Sequence, residues 1–190
     1  VSLAEIDKEL VRRQGGYGRG GRPRIEEDRV EILSGIWRGS TMGSPIALVV
    51  RNNDAKLERM EDLDRPRPGH ADLSGAIKYL APIRAILERA SARETAARVA
   101  AGGLAKQLLE PFGITAFAYV AEVGPIRVQP QAGTRDQQRT LRDASVLYTL
   151  NPDQDGPIRS LIDKCQKEGE TCVVAGIGGM VGGAAGHGGQ

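Results

Sequence analysis

Near the start of the chain, Arg12-Arg13-Gln14-Gly15-Gly16-Tyr17-Gly18-Arg19-Gly20-Gly21-Arg22-Pro23-Arg24 sets five arginines, and no acid, on a glycine-rich backbone. A guanidinium is a flat fork of donors that meets phosphate oxygens in pairs. Glycine admits positive φ and lets a ligand approach the main chain. The stretch reads as a cationic loop for a polyanion, or equally as a solvated loop. A second group is Arg65-Pro66-Arg67-Pro68-Gly69-His70-Ala71-Asp72. A histidine can deliver a proton at neutral pH, and His70 sits among arginines with an aspartate two residues on. The plainer reading is a surface histidine in a loop. The third group, Arg89-Ala90-Ser91-Ala92-Arg93-Glu94, puts a hydroxyl and backbone N–H groups at a helix start between arginines. That suits an anion. Alternatively, Ser91 caps the helix while the arginines pair with Glu88 and Glu94.

Several other readings fit less well. Gly16-Tyr17-Gly18-Arg19-Gly20 follows a helical pattern, whereas a dinucleotide-binding turn follows a strand and opens a helix. Arg19-Gly20-Gly21-Arg22 has the look of an RGG-type RNA-binding segment, but such segments recur and this one occurs once. A phosphate- or nucleotide-binding module without catalysis stays open on the residues alone. Cys165 and Cys172 are the two cysteines and form no CxxC, so neither a zinc site nor a disulfide framework is expected, and a reducing cytoplasm fits. His187, the other histidine, lies in the glycine-rich end and reads as solvated. No run of about eighteen apolar residues appears, so no membrane span is expected. Net charge is only +2, which gives no general field for nucleic acid.

These groups hang on elements that the pattern also marks. Ser2-Leu3-Ala4-Glu5 is a capping box, and Leu3, Ile6 and Leu10 fall at helical spacing up to about Arg13. Val30 and Ile32 alternate as a half-buried strand would. Ile46 to Val50 is a continuous apolar run, expected to be a strand covered on both faces, with Gly39 to Pro45 as a hydroxyl-rich turn before it. Arg51 to Asp64 reads as a surface loop or a short exposed helix. Ser91-Ala92-Arg93-Glu94 is a second capping box, after which Ala92, Ala96, Val99, Ala100, Gly103 and Leu104 form one small-residue stripe. Against it another element can pack very close, and Pro111 and Gly113 end the helix. Ile114 to Val120 is a strand, 136–148 and 156–167 are helices, and Thr171 to Ala175 is one last strand. Aromatic residues make up 4% of the chain, so the core must be mostly aliphatic. From Gly176 to Gln190 the composition falls to glycine, alanine and little else, and this segment is expected to lack stable structure.

Four of these stretches occur together, in order, in one family. The arginine-glycine loop, Gly43-Ser44-Pro45-Ile46, Arg67-Pro68-Gly69-His70-Ala71-Asp72 and Arg89 to Arg98 resemble chorismate synthase, over residue 1 to about Thr171. The resemblance implies an α+β fold with βαβ layering, incomplete in this chain. It implies the lyase that removes phosphate and a hydrogen from 5-enolpyruvylshikimate 3-phosphate to give chorismate, the last step of the shikimate pathway in aromatic amino-acid biosynthesis. It implies reduced FMN, NADPH in some members, a homotetramer and a cytoplasmic setting, with no nucleic-acid, membrane or metal partner. By position, it implies NADP contacts at Arg13 and Arg19, and flavin contacts at Arg89, Ala90 and Ser91. Arg22 and Arg93 would face the substrate, and His70 would protonate the reduced flavin.

The chain also departs from that family. A Gly-Glu-Ser-His-Gly motif, whose histidine is the proposed acid for the leaving phosphate, is not in the sequence. The family is nearly twice as long. Residues 172–190 are read as a non-matching tail, as a frame shift near Thr171 would produce, behind a partial core at 1–171. The expectation is that this polypeptide alone turns over little or no substrate.

Overall fold

The computed structural model describes residues 1–18, 28–52, 59–68, 70–90, 92–170 and 176–182. The chain forms two compact units, one of residues 1–14 and 22–105, the other of 15–21 and 106–190. Helices and antiparallel strands alternate irregularly, which makes the fold α+β.

In the first unit, α1 (Leu3–Gln14) begins where Glu5 N–H donates to Ser2 Oγ at 3.4 Å. It buries Ile6 and Leu10. β1 (Val30–Ser34) is tied to it by a 2.9 Å bond from Val30 N–H to Asp7 Oδ1. β2 (Ile36–Trp37) and β3 (Ser40–Thr41) form a hairpin whose two-residue turn, Arg38-Gly39, has φ of 48° and 78°. Positive φ at both positions gives the twist that a tight hairpin needs. The stretch expected as a plain turn from Gly39 therefore contributes a short strand. β4 (Ala47–Val50) pairs antiparallel with β1 in a two-stranded sheet, with a bulge between Ile32 and Ser34. Coverage on both faces does not hold: Ala47 is exposed and the rest of β4 is half-buried, because its apolar side meets only one cluster.

Two helices occupy a stretch that the periodicity left unassigned, α2 (Asp72–Tyr79) and α3 (Ile83–Ala90). α2 stops at Leu80, which takes a left-handed φ of 50°. α4 (Ala92–Leu109) follows, and its stripe behaves as the small residues dictate. Ala96 and Ala100 are fully buried, and a Cβ on Gly103 would come within 3.1 Å of Ile6 Cα. Ile6, Leu10, Val30 and Ala100 form the core of this unit. Ser91 and its capping box lie outside the described residues, and Glu94 pairs with Arg98 at 3.0 Å. Of the expected loop at 51–64, residues 59–64 are exposed and 53–58 lie outside the description.

The second unit takes over as α4 ends in a short 3-10 turn, Glu110–Phe112, with Gly113 left-handed at φ 66°. β5 (Thr115–Val123) turns at Gly124 into β6 (Ile126–Arg127). α5 (Arg135–Ala144) starts in a reciprocal capping box of Thr134 and Gln137. It stops four residues short of the expected end, because Ser145 leaves the helix for a buried network. Ser145 Oγ donates to Asp155 at 2.8 Å, Thr149 Oγ1 donates to the same carboxylate at 2.9 Å, and Ser145 Oγ accepts the Leu147 and Thr149 N–H groups. α6 (Asp155–Glu168) ends at left-handed Gly169. Val123, Val128, Leu147 and Ile158 make the core of this unit.

β7 (Gly176–Gly182) lies antiparallel along β5, from Thr115 opposite Gly182 to Glu122 opposite Gly176. The expectation that this glycine-rich stretch lacks structure is overturned for these residues. A strand ladder is made by backbone N–H and C=O groups, so a neighbour with exposed bonding groups can order a segment poor in side chains. The strand expected at 171–175 and the last residues, 183–190, lie outside the described residues.

Candidate functional site

His70 stands on a turn closed by its neighbours. Pro66 and Pro68 keep the chain out of helix, and the helix starts only at Asp72. The buried Asp72 carboxylate reaches back to Arg67: Arg67 N–H and Nε donate to one oxygen at 3.0 and 2.9 Å, and Nη2 donates to the other at 3.0 Å. The side-chain fork of Arg67 and its backbone N–H hold the Asp72 carboxyl down from 3.8 to about 2, against the opposing effect of desolvation. The Arg67 and His70 charges act in the same downward direction. His70 is exposed, and its Nδ1 lies 3.0 Å from the Pro68 carbonyl oxygen. A carbonyl only accepts, so Nδ1 carries the hydrogen and Nε2 is left to take up or give a proton.

This closure depends on pH in a defined direction. The folded carboxyl titrates near 2 and the unfolded one near 3.8, so its contribution is complete above about pH 4 and disappears as pH falls through about 2. Protection of the Arg67, His70 and Gly75 amides against exchange, relative to the intrinsic rate at each pH, is expected to hold at pH 4 and to fall near pH 2. Asp72→Asn should show fast exchange there already at pH 6. Exchange in the parent chain that is already fast at pH 4 would contradict this account.

Arg13 lies in the last turn of α1. Its Nη1 donates to Asp28 Oδ2 at 2.9 Å and its Nη2 to Thr95 Oγ1 at 3.1 Å. The arginine side chain is 16% exposed and the aspartate 1%. Arg12 pairs with Glu9 one turn back. Two arginines of the cationic stretch thus have carboxylate partners inside the fold. The next part of that stretch, within the second unit, is anchored by Tyr17. Its N–H donates to Val146 O at 2.9 Å and its hydroxyl to Asp163 Oδ1 at 2.6 Å, while the Arg159 guanidinium lies 4.6 Å over its ring.

A cavity of about 450 Å³ opens among α2, α3 and α4. Thr95, the partner of Arg13, lines it, and so does Ala71, next in the chain to His70. Neither Arg13 nor His70 lines it: Arg13 reaches it only through Thr95, and His70 only through the next residue of the chain. Arg89 and Ala90 close α3, and Arg93 stands in the first turn of α4. Arg19, Arg22 and Ser91 lie outside the described residues. Sequence reasoning missed Asp28 and the cavity residues Lys78 and Arg98. Leu73, Ala76, Ile77 and Leu80 do recur at helical spacing, and that signal could have shown the helix carrying Lys78. Among the described residues, no group of three or more potential metal ligands forms, and no helix is long and apolar enough to cross a membrane.

Comparison with known proteins agrees with the motif order. The family model described as chorismate synthase matches residues 1–186. A chorismate synthase of Symbiobacterium thermophilum is 48% identical, over 95% of this chain and 50% of its own length. One from Syntrophomonas wolfei is 44% identical, over 90% of this chain and 47% of its own length. A solved chorismate synthase structure superposes with a TM-score of 0.70 at 38% identity, covering 90% of this chain and 47% of its own. The chain spans about half the length of the curated relatives it matches. With a family model over nearly every residue, a shared fold, and the arginine loop and histidine turn in order, the chain belongs to the chorismate synthase family.

Proposed function

We propose that this chain forms part of the catalytic body that converts 5-enolpyruvylshikimate 3-phosphate to chorismate and phosphate. The observation that carries the reading is the family match over residues 1–186, and the closed turn that leaves His70 Nε2 as a proton-exchanging atom supports it. In this reading His70 holds and delivers a proton at Nε2, with Nδ1 anchored on the Pro68 carbonyl. Arg22 and Arg93 neutralise the anionic substrate, whose clustered charge is costly in a site of low dielectric.

The α3–α4 junction suits an anionic ring. An 18-residue helix starts there, and its first N–H groups have no carbonyl partner within the helix. Arg89, Ala90 and Ser91 would hold the flavin at this junction. Reduced FMN, when bound, supplies electron density to the ring from which phosphate departs. The reading extends to NADPH contacts through Arg13 and Arg19, to a homotetramer and to a cytoplasmic setting.

Calorimetry with the purified chain and 5-enolpyruvylshikimate 3-phosphate tests the reading. Saturable binding that weakens with added salt is expected. Absence of binding at millimolar ligand would overturn it.

A further inference from the structure

The cavity among α2, α3 and α4 is open to solvent, with one buried side chain at its floor. Its floor is apolar: Ile86 is buried, and it approaches so closely that a Cβ on Gly75 would lie 2.4 Å from Ile86 Cγ2. Its wall carries the hydroxyls of Ser74 and Thr95 and two cations, Lys78 and Arg98. The two cations differ. Arg98 is paired with Glu94 at 3.0 Å, the one acid among the described lining residues. Lys78 has no carboxylate partner among the described residues, and its ammonium lies 5.3 Å over the Tyr79 ring. Among the described lining residues, Lys78 is thus a positive charge without an acid beside it, next to hydroxyl groups and over an apolar floor. An ammonium of this kind is a compact point charge with three donors, suited to a phosphate oxygen. A volume of about 450 Å³ admits a small ring with its substituents.

We propose that this cavity seats the phosphate monoester of a small cyclic acid, and that Lys78 is a phosphate-binding residue of this chain. The proposal rests on the chorismate synthase reading and adds to it a residue that no motif marked. The phosphate meets Lys78 Nζ and the Thr95 hydroxyl, and the ring lies over Ile86 and Gly75. Arg13, which donates to the Thr95 hydroxyl at 3.1 Å, keeps that hydroxyl in place.

The test is a titration of the isotope-labelled chain, followed by amide NMR, with 5-enolpyruvylshikimate 3-phosphate in one arm and inorganic phosphate in the other. In the parent chain, shifts are expected at Gly75, Lys78 and Thr95, with the monoester binding at least about tenfold tighter than phosphate because the ring adds contact area. Lys78→Met should weaken the monoester about tenfold, and Lys78→Arg should retain it within about threefold. Lys8→Met removes the same charge from an exposed turn of α1 and should change binding less than about twofold. Lys78 is itself exposed, so its variants keep the fold, and their spectra report that directly. Monoester binding unchanged in Lys78→Met, or shifts confined to other elements, overturns this inference and leaves the family activity standing. Equal affinity for inorganic phosphate overturns the ring's place in it. No binding by the parent chain overturns both readings together.

Discussion

His70→Ala is expected to lower kcat about a hundredfold or more, with substrate affinity within about twofold of the parent. The suitable setting is a chimera in which this chain replaces the matching half of the Symbiobacterium thermophilum relative, assayed without oxygen with reduced FMN. The ring is exposed, and its one described partner is the Pro68 carbonyl, so its loss removes little packing. On the proposed reading, what it removes is the atom that exchanges the proton, Nε2. His70→Gln keeps a donor in similar reach but no ring proton to exchange, so affinity should again match the parent and turnover should stay low. A His70→Ala chimera with parental kcat would remove this histidine from the mechanism.

The largest expected loss of stability comes from Asp28→Ala, at about 3 kcal/mol. The variant leaves the Arg13 guanidinium 16% exposed and without the carboxylate that faces it at 2.9 Å. Taking one partner from a buried ion pair strands the other charge, whereas taking both strands neither. Arg13→Ala/Asp28→Ala is therefore expected to be more stable than Asp28→Ala alone, by about 1 kcal/mol or more. Urea unfolding of the parent, the two single variants and the double variant checks this. Additive losses, or a loss below about 1 kcal/mol for Asp28→Ala, would show that Asp28 does not hold Arg13 in place. The same series separates two roles of Arg13. On the proposed reading Arg13 would also contact NADP, which a ligand titration reads; as a tie between α1 and α4 it affects folding, which urea unfolding reads.

Much of the fold was legible because it is local. The capping residue at Ser2 and the spacing of Ile6 and Leu10 mark α1, and all the information lies within twelve residues. The stripe of Ala96, Ala100 and Gly103 announced a close packing partner, and Ile6 supplies it. Pro111 and Gly113 end α4 through backbone restrictions that belong to those residue types. The missed α2 shows the limit. Its apolar residues Leu73 and Ile77, and Leu80 at its C-terminal cap, recur properly but are exposed and belong to no core. The tail shows another. Low side-chain content argues against packing, yet Gly176–Gly182 is ordered by the backbone of β5.

Taken alone, the order of residues determined the family, the helix limits set by caps and breakers, and the residue types able to bind anions or pass a proton. Tertiary structure decided the pairings. Arg13 meets an aspartate fifteen positions on and a threonine eighty-two positions on. Tyr17 meets Asp163 across 146 positions, and β5 finds β7 after α5 and α6 have intervened. The division has one physical cause. Capping, helical periodicity and proline restriction act within a few residues, so local sequence suffices for them. Ion pairs, strand ladders and cavity walls act through a few ångströms of space, and only the folded chain sets which residues that space contains.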